Sequence, residues 1–287
     1  MSSKWSASRV GTFVTCKLRY KYQYIDKWIS SDTSGVDVQN KGLAFHETAE
    51  QYHTGMTDDE AKQVLEGKIK EYNVDESVYN EHAALERFLL FWKNNVAPKE
   101  LEGYVVKKET WANDTIDEEP FCGALDLELD RPDSVIIFDY KTAQTASTAK
   151  YKNQLVLYAY MVGHTRGWTP EEIAQNIKLF VFFPFSKQPE DSPIEDKAQK
   201  SLKELKFTPA DVNIVIQAYF IQHIRESKLV PWDQLSENDG KYSFITCGWC
   251  PYCGSIPDPK TGFKGCKVSY DAGKFQKRGV TFTKKED

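Results

Sequence analysis

Apolar and polar positions alternate most regularly between Gly123 and Asp130. There Gly-Ala-Leu-Asp-Leu-Glu-Leu-Asp puts Leu125, Leu127 and Leu129 on one side of a strand and Asp126, Glu128 and Asp130 on the other. Arg131-Pro132-Asp133-Ser134 has turn chemistry, and Val135-Ile-Ile-Phe-Asp-Tyr-Lys141 reads as a second strand, so the segment predicts an antiparallel hairpin. Val135 to Phe138 is apolar on both faces, which places that strand inside a sheet.

Elsewhere the spacing is helical. It predicts a helix from a Ser6 or Ser8 cap through Ile25, ending near Trp28, then a polar loop around Ser30 to Asn40. Further helices are expected from Gly42, from the acidic run Asp58 to Glu60, and over His82 to Val96, Tyr151 to Gly163 and Pro209 to Ser227. Tyr104 to Trp111 and Lys178 to Phe185 read as strands, and Pro189 to Leu202 as an exposed loop. The expected fold is α/β, one domain over 1–287 with a mixed central sheet flanked by helices. It carries a cysteine-rich metal-binding segment at 240–270 and a loose basic tail at 274–287. No internal repeat is present.

The hairpin carries candidate chemistry. If the turn pairs Asp130 with Val135, paired residue numbers sum to 265 and Asp126 stands opposite Asp139. Facing Cβ atoms lie about 4.5–5.5 Å apart, and two carboxylates held so close require a proton or a cation between them. Lys141, two residues beyond Asp139, projects from the same face, while Tyr140 points to the other. Acid, acid and lysine on one surface suit phosphodiester hydrolysis by a metal-activated water. The alternative is the solvated face of an edge hairpin.

Composition narrows the partners. In 287 residues the hydrophobic share is 40% and the aromatic share 13%, enough for a sizeable core, and the charged share of 28% suits a soluble protein. A net charge of -5 argues against coating nucleic acid by bulk electrostatics and leaves a local basic groove open. No apolar run approaches the roughly 18 residues of a membrane span and no signal peptide is evident, so a cytoplasmic location without membrane partners is expected. Six cysteines occur, and Cys247, Cys250 and Cys253 with Cys266 form a dense thiol cluster, a signal for metal that spacing alone cannot divide between zinc and iron–sulfur. Cys122 reads as a small buried hydrophobe. Lys17, Arg19 and Tyr20, within an interleaved basic and aromatic run, offer phosphate contacts and stacking faces for DNA. The alternative there is a helix with aromatics inward and basic residues outward.

Four short motifs occur in order: Gly42-Leu-Ala-Phe-His46, Gly123-Ala-Leu-Asp126, Asp139-Tyr-Lys141 and Gln154-Leu-Val-Leu-Tyr158. Taken together they resemble the PD-(D/E)XK nuclease superfamily, in its RecB-like branch with an iron–sulfur cluster, across residues 6–266. The resemblance implies a restriction-endonuclease-like core in which His46, Asp126, Asp139 and the Tyr140 carbonyl ligate Mg²⁺ or Mn²⁺. Lys141 then positions water or phosphate, and Gln154 and Tyr158 touch DNA or brace the site. It also implies a [4Fe–4S] cluster on Cys16, Cys247, Cys250 and Cys266, with Cys253 as an alternate ligand and zinc as the rival. Such a cluster docks the C-terminal segment on the N-terminal helix. Read from the residues alone, His46 can equally be a core histidine or pair with His53 on one helical face; Gln154 and Tyr158 can be an ordinary helix pair.

The function implied is a DNA exonuclease of recombination, repair or replication, including a phage-encoded one, acting on single strands or duplex ends. The chain has no phosphate-binding loop of its own and would act alone or serve a helicase or recombination partner. The alternatives are a nuclease of CRISPR adaptation and a non-catalytic DNA-end-binding subunit of a helicase–nuclease complex.

Overall fold

A computed structural model describes residues 4–31, 36–75, 80–236, 239–240, 247, 250–252, 261–263, 265–266 and 281–285, the side chains of 36–38 excepted. Its helices are α1 (Ala7–Thr15), α2 (Lys17–Tyr20), α3 (Val36–Gln51), α4 (Asp58–Tyr72), α5 (Glu81–Phe91) and α6 (Ala97–Leu101). After the hairpin come α7 (Lys152–His164), α8 (Pro170–Asn176), α9 (Ile194–Ser201), α10 (Pro209–Asn213) and α11 (Gln222–Lys228). The strands are β1 (Trp28–Ser30), β2 (Val105–Ile116), β3 (Glu119–Arg131), β4 (Ser134–Tyr140), β5 (Ile177–Phe182), β6 (Leu202–Leu205) and β7 (Phe282–Lys284). Where one domain was expected, the residues group into two compact units, one of 1–4 with 36–216 and one of 5–35 with 217–287.

The first unit is built on a mixed sheet in the order β2-β3-β4-β5-β6, as the expected α/β, restriction-endonuclease-like core requires. β4 pairs with β5 in parallel and every other pairing is antiparallel. The parallel pair needs a crossover, which α7 and α8 supply between β4 and β5. β3 and β4 pair Asp130 with Val135 and Leu127 with Phe138, the register expected from the turn, although Arg131 and Ser134 also pair and the turn shrinks to Pro132-Asp133. β4 lies third of five strands and is buried from Val135 to Tyr140, which accounts for its apolar character on both faces. Leu127, Leu129, Ile136, Phe138 and Tyr140 pack with Phe45 of α3, Leu65 of α4, and Phe88 and Phe91 of α5 in one core.

Several boundaries differ from expectation. Pro189 to Leu202 is not a loop throughout, since α9 and β6 follow one another there, and β6 extends the sheet beside β5. Eight residues with four charges hid the helix, and four residues are too few for alternation to register. The acidic face of β3 is not a solvated edge, because β3 is an interior strand. Glu128 is 6% exposed, and Lys107 and Arg166 take up both Glu128 and Asp130, with Lys107 Nζ 3.2 Å from Glu128 and 2.6 Å from Asp130. Cys122 is half-buried rather than enclosed.

In the second unit the expected single N-terminal helix breaks at Cys16. This residue is extended and caps α2 by accepting the Arg19 amide at its sulfur, 3.5 Å away. The chain then winds more widely over Lys21–Ile25 and enters β1 at Trp28, where a helix end was expected. The tail is not loose at β7, which pairs antiparallel with β1. Phe282 is 1% exposed and stacks on Phe263 with ring centres 3.8 Å apart. Most of the remaining tail falls outside the described residues. None of the described helices is long and apolar enough to cross a membrane.

Replacing Phe282 by Ala removes a fully buried ring from that core, so we expect a loss of about 3–5 kcal/mol in the stability of this unit. Denaturant unfolding followed by tryptophan fluorescence measures it, and an unchanged midpoint would mean that the pairing of β7 with β1 does not hold in solution.

Candidate active site

Three elements of the first unit carry the site: α3 brings His46, β3 brings Asp126, and the end of β4 brings Asp139, Tyr140 and Lys141. Asp126 and Asp139 follow the last paired residues, Leu127 and Phe138, by one step each. One Asp126 oxygen accepts the backbone N–H of Tyr140 at 2.5 Å, and the other lies 3.5 Å from His46 Nδ1. The expected juxtaposition of hairpin and histidine is therefore present. A pairing of His46 with His53 is not, because α3 ends at Gln51 and the exposed His53 turns to the carbonyl of Thr54.

Asp139 is 2% exposed. Its Oδ2 lies 2.7 Å from Lys141 Nζ, and its Oδ1 is 3.5 Å from the Gln154 side-chain amide, which donates to the Tyr158 hydroxyl at 2.8 Å. Gln154 and Tyr158 thus form an ordinary pair four residues apart that also braces Asp139. Tyr158 is 6% exposed, and of the two expected roles, touching DNA or bracing the site, its burial favours the brace. Gly123 accounts for the tight fit, since a Cβ there would lie 2.3 Å from Tyr158 Cε1. The glycine of the second motif and the tyrosine of the fourth are one packing contact between β3 and α7.

The sequence reading missed Glu109 of β2. Its Oε1 lies 3.7 Å from His46 Nδ1, and ligand atoms of His46, Glu109 and Asp126 all fall within 4.8 Å of one another. Asp139 stands outside that group. Glu109 sits in a run, Lys107-Lys-Glu109-Thr, with no apolar alternation to mark it as inward-facing.

Burial magnifies the charge interactions here. Burial alone would lower His46, yet the carboxylates of Asp126 and Glu109 outweigh it and raise the imidazole to about 10. Burial pushes the Asp139 carboxyl up to about 6, against the pull of Lys141 and with the push of Asp126. Lys141 is lowered by burial but ends above its ordinary value because Asp139 and Asp126 face it, so it stays an ammonium. Burial also raises Tyr158 to about 12, so its hydroxyl remains a proton carrier.

The donor set fits a divalent cation. Oxygen and imidazole ligands about 2.1 Å from an octahedral ion stand roughly 3 Å from one another. The contacts of 3.5 and 3.7 Å at His46 are too long for good hydrogen bonds and close to that spacing. Glu47, next in sequence to His46, is engaged elsewhere by Lys68 at 2.6 Å and by the Tyr72 hydroxyl.

In the second unit Cys16 packs against a core that includes Cys247, Cys250 and Cys266 together with Leu18, Tyr22, Trp28, Tyr252 and Phe263. The Tyr252 hydroxyl donates to the Trp28 carbonyl at 2.6 Å and the Tyr22 hydroxyl to the Gly265 carbonyl at 2.5 Å, fastening the C-terminal segment to the N-terminal one. Cys253 lies outside the described residues. Tyr20 cannot offer a stacking face to DNA: it is 2% exposed, and Trp5 and Trp232 stack on it. The helix has aromatics inward, while Lys17 is exposed and Arg19 half-buried.

Two glycine substitutions should separate in sign. Gly123→Ala forces Tyr158 aside and should cost about 1–3 kcal/mol. Gly42→Ala has its nearest neighbour at 3.8 Å in a helix interior and should gain about 0.5–1 kcal/mol. Thermal melting of both variants decides it, and equal effects would contradict the β3–α7 contact.

Lys41 of α3 provides a pH test. It is 1% exposed, donates to the Thr142 carbonyl at 3.1 Å just past Lys141, and is lowered by burial to about 8 from 10.5 despite Glu81. Between those values the unfolded chain holds the proton more firmly than the native one, so this group makes stability rise with pH from about 8 to 10.5. Lys41→Met should flatten that rise in unfolding free energy. An identical slope would show Lys41 to titrate normally.

No curated protein is matched by the chain. The crystal structure titled "Crystal structure of SSO0001" aligns over 74% of this chain and 93% of that one at 10% identity, with a TM-score of 0.33, a likeness too slight to carry an argument. A sequence profile described as the PD-(D/E)XK nuclease superfamily matches residues 4–255, most of the chain and all of the residues around His46, Asp126, Asp139 and Lys141. The protein belongs to the PD-(D/E)XK nuclease superfamily.

Proposed function

We propose that this nuclease is a DNA exonuclease of the RecB-like branch, acting in recombination, repair or replication with Mg²⁺ or Mn²⁺. One observation carries the reading: an imidazole from α3, a carboxylate from β3, and a carboxylate and ammonium from β4 arrive at one place from three separate elements. In this reading His46, Asp126, Asp139 and the Tyr140 carbonyl hold the cation. When bound, it supplies Lewis acidity toward phosphate and lowers the pKa of a coordinated water.

The chain's own groups do the rest. Lys141, held as an ammonium beside Asp139, offsets the charge that develops on the phosphate. Gln154 and Tyr158 keep Asp139 from rotating away, and the Tyr140 amide fixes Asp126 through a charge-assisted hydrogen bond. Exposed Lys17 and half-buried Arg19 supply backbone contacts to a DNA strand.

The cysteines are assigned to a [4Fe–4S] cluster held by Cys16, Cys247, Cys250 and Cys266. Tetrahedral zinc brings thiolate sulfurs to within about 4 Å of one another. Zinc on these thiolates is the rival reading, which metal analysis separates from the cluster. Its role is structural, closing a loop of about 250 residues.

End-labelled single- and double-stranded DNA, digested with Mg²⁺ or Mn²⁺, should be degraded from its ends by the wild type. Asp139→Ala should lose activity by at least about 10²-fold. Equal cleavage by both proteins would refute the site, and no cleavage by either would favour a non-catalytic DNA-end-binding subunit. The iron–sulfur assignment is checked by optical absorption and metal analysis. Purified protein should be coloured and Cys250→Ala colourless and less stable, whereas a colourless wild type with stoichiometric zinc would overturn it.

A further inference from the structure

β2 departs from regular geometry at one residue. Glu109 has φ +45, the left-handed region that a long side chain adopts at a cost, in the middle of a 12-residue strand. The pairing with β3 stays in step across it, Lys108 opposite Leu127 and Thr110 opposite Leu125, so no residue is inserted and Glu109 comes opposite Asp126.

The effect is on side-chain direction. Lys107 reaches Glu128 and Asp130 on the acid-bearing side of β3. Lys108 reaches toward α3, donating to the Tyr52 carbonyl at 2.7 Å and to the Glu50 carbonyl. Regular alternation would return Glu109 to the side of Lys107. Instead its carboxylate goes to His46, also on α3. Two consecutive side chains of one strand reach the same helix, and the second of them is the residue whose backbone is left-handed.

From these observations we infer that Glu109 is a ligand of the divalent cation, added to the set by a local reversal of β2. The inference rests on the nuclease site proposed above. Its carboxylate belongs to the group of three whose ligand atoms lie within 4.8 Å, a group that includes His46 and Asp126 and leaves out Asp139. The Glu109 side chain is 28% exposed, and its carboxylate is turned to His46, 3.7 Å away. The strained residue sits where a carboxylate is needed and a glycine would be easier.

Two substitutions separate ligation from strain. Glu109→Gln keeps the shape and removes the charge; Glu109→Gly removes both charge and strain. Binding of Mn²⁺ to the DNA-free protein is measured by titration calorimetry, and thermal melting is measured in EDTA. Both variants should bind Mn²⁺ at least roughly tenfold more weakly than wild type. In EDTA, Glu109→Gly should melt roughly 2–4 °C above Glu109→Gln. Unchanged Mn²⁺ affinity in both variants, with wild-type binding intact, overturns the ligand role and leaves the nuclease site standing. A glycine variant that melts no higher than the glutamine variant overturns the strain argument. Failure of the wild type itself to bind Mn²⁺ overturns both this inference and the site it rests on.

Discussion

Asp126 and Asp139 are carboxylates held where the sheet, α3 and α7 exclude much of the water, with Glu109 beside Asp126 at His46, and the repulsion between the two aspartates is the constraint the site has to meet. Two cations oppose it. Lys141 faces Asp139 at 2.7 Å, and His46, raised to about 10, carries a proton between Asp126 and Glu109. Burial makes each of these charges costly alone and makes the pairings strong. Three negative charges against two positive ones leave the site short of positive charge. A dication held by His46, Glu109 and Asp126 would correct that shortage, as the proposed nuclease site requires.

Placement depends on register more than on any single bond. The β3–β4 pairing sets Asp126 and Asp139 side by side, and the Tyr140 amide then locks one carboxylate to the neighbouring strand. α3 and α7 approach with their own side chains, His46 from one and Gln154 with Tyr158 from the other. α7 can come that close only because residue 123 has no side chain. Lys41 ties α3 to the chain just beyond Lys141 through the Thr142 carbonyl, so the helix that carries His46 and the strand that carries Asp139 are coupled at a second point.

Much of this was legible in the residues. Strict alternation in β3 and the turn at Pro132-Asp133 gave the hairpin and its register, and the unbroken apolar run in β4 gave its central position. His46 came from the ordered motifs and was found beside Asp126. Glu109 was not legible, because strand periodicity assigns faces only where the backbone is regular, and the reversal occurs at that residue. β6 was too short to show a period, and β1 with β7 pairs segments about 250 residues apart, a contact that no local pattern encodes. Tyr20 was open between a stacking face and an inward aromatic, and Tyr158 between a DNA contact and a brace; both side chains lie inside. An aromatic side chain beside basic residues states composition, and its burial depends on what packs against it.

Anomalous diffraction from crystals soaked in Mn²⁺ tests the central claim most directly. The account predicts a peak bounded by the side chains of His46, Glu109 and Asp126, with Asp139 alongside. A structure in which Mn²⁺ is absent from that place while the protein degrades DNA would contradict it.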